Sequence, residues 1–273
     1  MSQAAARYAI IGHPVAHSRS PEIFAEFARL TGQSVQYTRI DADPHGFTAA
    51  LREFLETGGL GLNVTAPFKE EAFAICHAHT SRARKSRAVN TISVRDGGKL
   101  LGDNTDGVGL VKDLRDNHRV AMKNARILML GAGGAARGVL PSLLAEKPAL
   151  VHIANRTAAR AVKLANQHSA ERVIGSGFDG LRRLGFDLVI NATSASLGGE
   201  LPQLPHDCLN PSAVCYDLTY SDRPTLFMHW AVQEGAATVL DGWGMLVEQA
   251  AETFYLWRGV RPSTATLLAV HLT

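Results

Sequence analysis

Few sequence features constrain a fold as tightly as a strand, a glycine turn and a helix in immediate succession, and this chain has all three at 126–140. The apolar run Arg126-Ile127-Leu128-Met129-Leu130 leads into Gly131-Ala132-Gly133-Gly134-Ala135-Ala136, and Arg137-Gly138-Val139-Leu140 continues as a helix. A second apolar run, Ala149 to Ala154, follows roughly 20 residues later and ends in Asn155-Arg156-Thr157. Strand, tight turn, helix and strand in this order match G-x-G-x-x-A, which seats a dinucleotide pyrophosphate on a helix N-terminus. An NAD site places Asp or Glu at the end of the second strand, to hold free ribose hydroxyls. This chain has Arg156 there, with Arg160 one turn later. A carboxylate would repel a 2′-phosphate, whereas a guanidinium grips it. The expected cofactor is therefore NADP(H).

The sequence is 273 residues long, enough for two domains. With 46% hydrophobic and 19% charged residues it has a globular composition. No apolar stretch approaches the length of a membrane span, and residues 1–7 lack the apolar core of a signal peptide. Cys76, Cys208 and Cys215 have no metal-site spacing, so neither a zinc site nor a disulfide framework is expected, and a cytoplasmic location is. A net charge of +3 without a Lys/Arg block does not point to nucleic acid, though it suits small anions.

More than a hundred residues precede the glycine turn, with an α/β rhythm of their own. Strands are expected at 8–12, 35–40 and 60–64, and helices from Ser20-Pro21, over 47–56, and from Pro67. Residues 89–94 and 99–102 read as a hairpin around Asp96-Gly97-Gly98, and 107–117 as a linking helix. After Ala154 further strands are expected at 187–192, 213–218 and 237–240. The apolar segment from Gly244 to Trp257 reads as a helix that packs back on the N-terminal domain. The fold class is thus α/β in two domains. An N-terminal α/β substrate domain spans 1–105, completed by C-terminal helices in 241–273. A Rossmann-type doubly wound parallel sheet spans 106–240 and binds NADP.

Four places could carry chemistry. With Pro67 at the first helical position, Lys69 falls in the first turn, where the helix dipole disfavours a cation. Such an amine suits proton transfer to a carbonyl oxygen, although pairing with an acid in solvent is an equal reading. In Gly102-Asp103-Asn104-Thr105-Asp106-Gly107, Asp103 and Asn104 read as turn and cap residues, while Asp106 is placed to orient Lys69. Ser18 and Ser20 stand at a helix start, either as a plain N-cap or as a seat for a carboxylate. Gln249 is a polar residue within an apolar helix. The histidines offer no ligand set, and no metal is expected.

Together these stretches resemble the shikimate dehydrogenase family from end to end. The resemblance is carried by Gly12 through Pro21, Asn63-Val64-Thr65-Ala66-Pro67-Phe68-Lys69, Ala88-Val89-Asn90-Thr91, Gly102 to Gly107, Gly131 to Ala135, Asn155-Arg156-Thr157 through Arg160, and Asp241 through Ala250. It implies NADPH-dependent reduction of 3-dehydroshikimate to shikimate, in the route to chorismate and the aromatic amino acids. It implies that Lys69 and Asp106 are the catalytic pair. Ser18 and Ser20 would hold the substrate carboxylate, and Thr65, Asn90, Tyr220 and Gln249 would also contact substrate. The cofactor would lie on Gly131, Ala132, Gly133, Gly134 and Ala135, on Asn155, Arg156, Thr157 and Arg160, and beside Leu218 and Gly242. His13 and Arg19 stand where relatives often have Asn and Lys. The expected partners are shikimate and 3-dehydroshikimate, with no nucleic acid or membrane, in a monomer or homodimer. A dual quinate/shikimate enzyme using NAD is the nearest rival, and Arg156 speaks against it. A non-catalytic sensor is another, and the presence of both Lys69 and Asp106 speaks against that.

Overall fold

The protein is described here by a computed structural model, which covers residues 4–168, 172–179, 181, 184–193, 204 and 206–271. The chain forms two compact units, one running to Leu110 and resuming at Leu246, the other spanning Val111–Met245.

The first unit begins β1 (Ala6–Gly12), α1 (Ser20–Thr31), β2 (Val35–Asp41), α2 (Phe47–Glu56), β3 (Gly61–Val64) and α3 (Lys69–Ile75). It continues with β4 (Ala78–His79), α4 (Ser81–Ser86), β5 (Thr91–Arg95), β6 (Lys99–Asp103) and α5 (Asp106–Lys112), which runs on into the second unit. The sheet order is β2-β1-β3-β5-β6-β4, with β1 parallel to β2 and β3, and β5 antiparallel to β3 and β6.

Alternation along β1 divides the packing between the two faces of the sheet. Ala9 and Ile11 join a buried cluster with Phe47, Leu51, Phe54, Leu62 and Phe68. Tyr8 points the other way and stacks on Trp257, with centroids 4.3 Å apart. The expected hairpin is present, and Gly97 and Gly98 both take positive φ in its turn.

The second unit holds β7 (Arg126–Leu130), α6 (Gly134–Ala145), β8 (Leu150–Ala154), α7 (Ala158–Asn166), β9 (Val173–Ser176), β10 (Phe186–Asn191), β11 (Leu209–Asp217), α8 (Leu226–Gln233) and β12 (Thr238–Leu240). Its sheet runs β12-β11-β10-β7-β8-β9, and every pairing is parallel. Read from β9, this is the 3-2-1-4-5-6 order of a doubly wound dinucleotide fold, with the switch point between β7 and β10. Both of those strands are almost wholly buried, which explains their apolar runs without alternation.

The chain then enters α9 (Trp243–Arg258) and α10 (Ala265–His271). As expected from its apolar character, α9 packs on the N-terminal elements. Phe254 lies 5.9 Å from Phe27, and Trp257 lies 5.5 Å from Phe24.

Three local expectations need correction. Pro67 does not open α3. The Phe68 N–H bonds to the Thr65 carbonyl at 3.0 Å, closing a turn first, and the helix begins at Lys69. Ser20 is not the cap of α1 but its first residue. Arg19 holds the cap position without a side-chain bond, and the Ser20 N–H is bonded by Ser18 Oγ. The linking helix is not regular to residue 117. It widens into a π turn at Asp113–Asn117, where the His118 N–H reaches the Asp113 carbonyl.

Gly61 shows how closely α9 approaches the sheet. A Cβ there would lie 2.7 Å from both the Ile92 carbonyl oxygen and Trp257 Nε1, and those two atoms are themselves hydrogen-bonded at 3.2 Å. Gly61→Ala is expected to destabilise the fold by about 1–3 kcal/mol through overpacking, seen as a lower urea midpoint with an unchanged slope.

Candidate functional site

The strand directions of the first unit bring its polar motifs to one sheet edge. Parallel β1 and β3 end together, so the segment holding Ser18 and Ser20 leaves beside the turn that carries Thr65. The His13 N–H bonds to the Ala66 carbonyl at 3.0 Å, and the Gly12 Cα faces the Thr65 methyl. Antiparallel β5 begins where β3 ends, placing Asn90 there, and β6 ends at the same edge and delivers residues 103–106. The Val64 N–H meets the Asn90 carbonyl at 2.8 Å, and the Asn90 N–H meets the Asp103 carbonyl at 3.1 Å.

Lys69 Nζ lies 2.5 Å from Asp106 Oδ2, with the two side chains only 14% and 6% exposed. The solvent-paired reading of Lys69 is therefore set aside. Asn90 Nδ2 donates to Asp106 Oδ1 at 2.7 Å and lies 3.3 Å from Gln249 Oε1. Gln249 is buried and also accepts from Thr105 Oγ1 at 3.2 Å. Ser18 Oγ and Ser20 Oγ, both buried, sit 3.2 Å apart, and Arg39 holds the Ser18 carbonyl oxygen. Amine, carboxylate, amide and hydroxyl groups thus crowd one strand edge, an arrangement fitted to a small polyhydroxy acid.

Asp103 proves to be more than a turn residue. Arg82 grips its carboxylate at 3.0 and 2.6 Å and reaches Glu252 Oε1 at 2.8 Å with its remaining arm. Burial works against the Arg82 charge, but the bonds to Asp103 and Glu252 outweigh it and raise its pKa. Burial likewise opposes the Glu252 charge, and the bonds from Arg82 and Arg261 lower its pKa overall. Asn104 stands one residue outside the cap position of α5, which Thr105 holds, and its Oδ1 accepts from the Asp106 N–H at 3.1 Å.

In the second unit, Gly131 has φ of +102°, and a Cβ on it would lie 2.9 Å from the Ala192 carbonyl oxygen. Only glycine fits both conditions. Gly133 faces open space, and α6 starts without a side-chain cap, so its first N–H groups are uncovered. Ala136 is fully buried, as close packing of helix on strand requires. Arg156 and Arg160 are exposed at the end of β8, with Asn155 bracing the turn through the Thr157 carbonyl at 3.0 Å. No carboxylate stands in that segment. These residues fit an NADP-type dinucleotide. Leu218 and Gly242 adjoin, since a Cβ on Gly242 would fall 2.2 Å from the Leu218 carbonyl oxygen. Tyr220 lies in this same unit, its ring edge-on to Trp243 at 6.4 Å.

Comparison with known proteins agrees with both halves. A family model described as the shikimate dehydrogenase substrate binding domain matches residues 10–92, a shikimate / quinate 5-dehydrogenase model matches 113–198, and a shikimate 5'-dehydrogenase C-terminal domain model matches 242–270. The shikimate dehydrogenase (NADP(+)) of Alkalilimnicola ehrlichii is 53% identical over 96% of this chain and 97% of its own length. The chain belongs to the NADP-dependent shikimate dehydrogenase family. It is an oxidoreductase that interconverts 3-dehydroshikimate and shikimate with NADP(H). A crystal structure of an enzyme from Pseudomonas putida superposes with a TM-score of 0.90 at 42% identity, covering 97% of this chain and 98% of that one. A shikimate 5-dehydrogenase from Thermus thermophilus in complex with NADP(H) and shikimate gives 0.84 at 31% identity, covering 96% and 97%. Among the described residues no helix is long and apolar enough to cross a membrane.

Sequence reasoning overlooked several buried polar groups of this dehydrogenase. Thr91, Thr105 and Thr253 are fully buried, with hydroxyls 3.0–3.5 Å apart, and they back Asn90 and Gln249. Asp217, fully buried at the end of β11, accepts from Asn191, Thr219 and Thr225 and so braces the segment before Leu218 and Tyr220. Burial raises its pKa. Thr91 and Thr105 fall within stretches that carry the family resemblance but were given no role, and Thr253 and Asp217 fall outside them, because a single threonine or a strand-end aspartate carries no periodic or spacing signal.

The lowered Glu252 pKa has a definite sign. The unfolded chain takes up the proton first as pH falls, so the stability Glu252 adds is complete above the ordinary carboxylate range and is lost on passing down through its folded value. Urea midpoints measured between about pH 6 and 3 should therefore fall less steeply in Glu252→Gln than in the unsubstituted enzyme.

Proposed function

We propose that this chain reduces the ring ketone of 3-dehydroshikimate through the Lys69–Asp106 pair, with the first unit taking the substrate and the second taking NADP(H). The single observation that carries this reading is a buried amine and carboxylate 2.5 Å apart at the edge where Ser18, Thr65, Asn90 and Gln249 are also gathered. NADPH, when bound, supplies the hydrogen and electron pair that the carbonyl carbon takes up. Lys69 Nζ donates to the ketone oxygen and gives it a proton as charge develops there. Asp106 holds the amine in place and shares its proton, so the pair titrates as a unit. Asn90 fixes the second oxygen of Asp106, which leaves the carboxylate one orientation. The paired hydroxyls of Ser18 and Ser20 at the start of the 12-residue α1 receive the substrate carboxylate. Thr65 and Gln249 contact the ring substituents.

Gly131, Ala132, Gly133, Gly134 and Ala135 would seat the pyrophosphate. Asn155, Arg156, Thr157 and Arg160 would hold the 2′-phosphate end, and Leu218 and Gly242 would line the nicotinamide. Three free, buried cysteines, with thiols pushed up to about 12, 12 and 11 for Cys76, Cys215 and Cys208, support a reducing cytoplasm.

Following absorbance at the reduced nicotinamide band with shikimate or quinate, and with NADP+ or NAD+, tests the reading directly. Turnover should be fastest with shikimate and NADP+, and equal rates with quinate and NAD+ would refute it. Lys69→Met should lower kcat by about 10²–10⁴-fold; wild-type turnover would remove Lys69 from the chemistry. Arg156→Ala should weaken NADP(H) binding by about 10- to 100-fold, the worth of one charge-assisted bond, and leave NAD(H) unaffected. An equal loss for both would show that the guanidinium does not read the phosphate.

A further inference from the structure

We propose that Arg82, which lies outside the substrate-binding cluster, is a positioning residue that sets the placement of Asp106 against Gln249. The two segments bearing those groups are distant in sequence, and Arg82 joins them. Its Nε and Nη2 bond both oxygens of Asp103, three residues before Asp106. Its Nη1 bonds Glu252 on α9, three residues past Gln249 and so on the same helix face. Asp103 in turn fixes its own turn, accepting from the Asn104 N–H at 2.7 Å and from Thr80 Oγ1 at 2.6 Å. Arg261 meets the other oxygen of Glu252, which holds that carboxylate towards Arg82.

Among the described residues, the bonds that Asn90, Thr91 and Thr105 make to side chains of α9 join neutral groups. Asn90 and Thr105 reach Gln249, and Thr91 and Thr105 reach Thr253, at 3.0–3.3 Å. Charge-assisted bonds are roughly twice as strong as such contacts, so the Arg82 fork dominates the brace. Only a planar guanidinium can satisfy one carboxylate with two parallel bonds and a second carboxylate with a third. An ammonium is a point charge that cannot span both. The placement of Asp106 matters because an error of an ångström in a reacting group costs orders of magnitude in rate.

This inference rests on the Lys69–Asp106 reading and is tested beside it. Steady-state constants would be measured for Arg82→Met, Arg82→Lys and Lys69→Met, with urea midpoints and the active fraction titrated by NADP+. Arg82→Met should lower kcat per active site by about 10- to 100-fold and raise the KM for shikimate several-fold. Its KM for NADP+ should not change, because the residues assigned to the cofactor are in the other unit. Arg82→Lys should show the same split at smaller size, and it carries the test if the Met variant does not fold. An unchanged shikimate KM, or a kcat loss that matches the fall in active fraction, would overturn the proposal and leave Arg82 a stability residue. Wild-type turnover in Lys69→Met would instead overturn the reading beneath it, so the two failures are distinguishable.

Discussion

A lysine ammonium and an aspartate carboxylate held 2.5 Å apart and largely out of water constrain everything around them. Taking either charge out of solvent is costly, and removing one partner leaves the other stranded. The pair therefore needs a shell of donors and acceptors that fixes its geometry, and the first unit supplies one. Asn90 occupies the second carboxylate oxygen, Asn104 accepts from the Asp106 N–H, and Thr105 links Asn90 to Gln249. That polar shell has to be anchored in turn. Below it the threonine hydroxyls satisfy one another, and Arg82 ties Asp103 to Glu252.

The mixed sheet of the first unit is what makes such crowding possible. A wholly parallel sheet would start β5, and so place Asn90, at the edge opposite the one where β3 ends. The antiparallel turn of β5 brings Asn90 back to that edge, and β6 then returns residues 103–106 to it. Four segments from different stretches of sequence converge, and α9 adds a fifth with Gln249. Apolar packing holds α9 in register, with Phe254 and Trp257 set among Phe24, Phe27 and Tyr8. A hydrophobic stripe thus positions a polar side chain on the same helix.

The second unit works by a different economy. Its sheet is parallel throughout, its central strands are buried on both faces, and its binding chemistry is mostly backbone. Gly131 is held between a left-handed φ and the Ala192 carbonyl, Gly133 leaves the α6 N-terminus bare, and Gly242 lies against the Leu218 carbonyl. These positions are defined by the absence of a side chain. The buried Asp217 and Asn191 fix the strand ends from which the neighbouring loops leave.

Local sequence was enough for features set by local rules. Periodicity gave α2 at 47–56, the buried strands and the apolar α9, and glycine and proline marked the hairpin and the dinucleotide turn. The pattern Gly131-x-Gly133-x-x-Ala136, with Arg156 in place of an acid, determined the Rossmann-type unit and its cofactor, because turn geometry and charge sign are written directly in residue type. Lys69 and Asp106 were legible as a pair once the motifs were taken together. Sequence alone missed α8, the short β4 and α4, whose periods are too brief to stand out, and it assigned Asp103 to a turn. Only the tertiary structure decided that Asp103 belongs to Arg82 and Glu252, that Gln249 faces inward, and that three scattered threonines share one buried cluster. Those facts depend on which distant segments come to lie side by side. Hydrogen bonds of about 3 Å between residues more than a hundred positions apart leave no periodic trace in the chain.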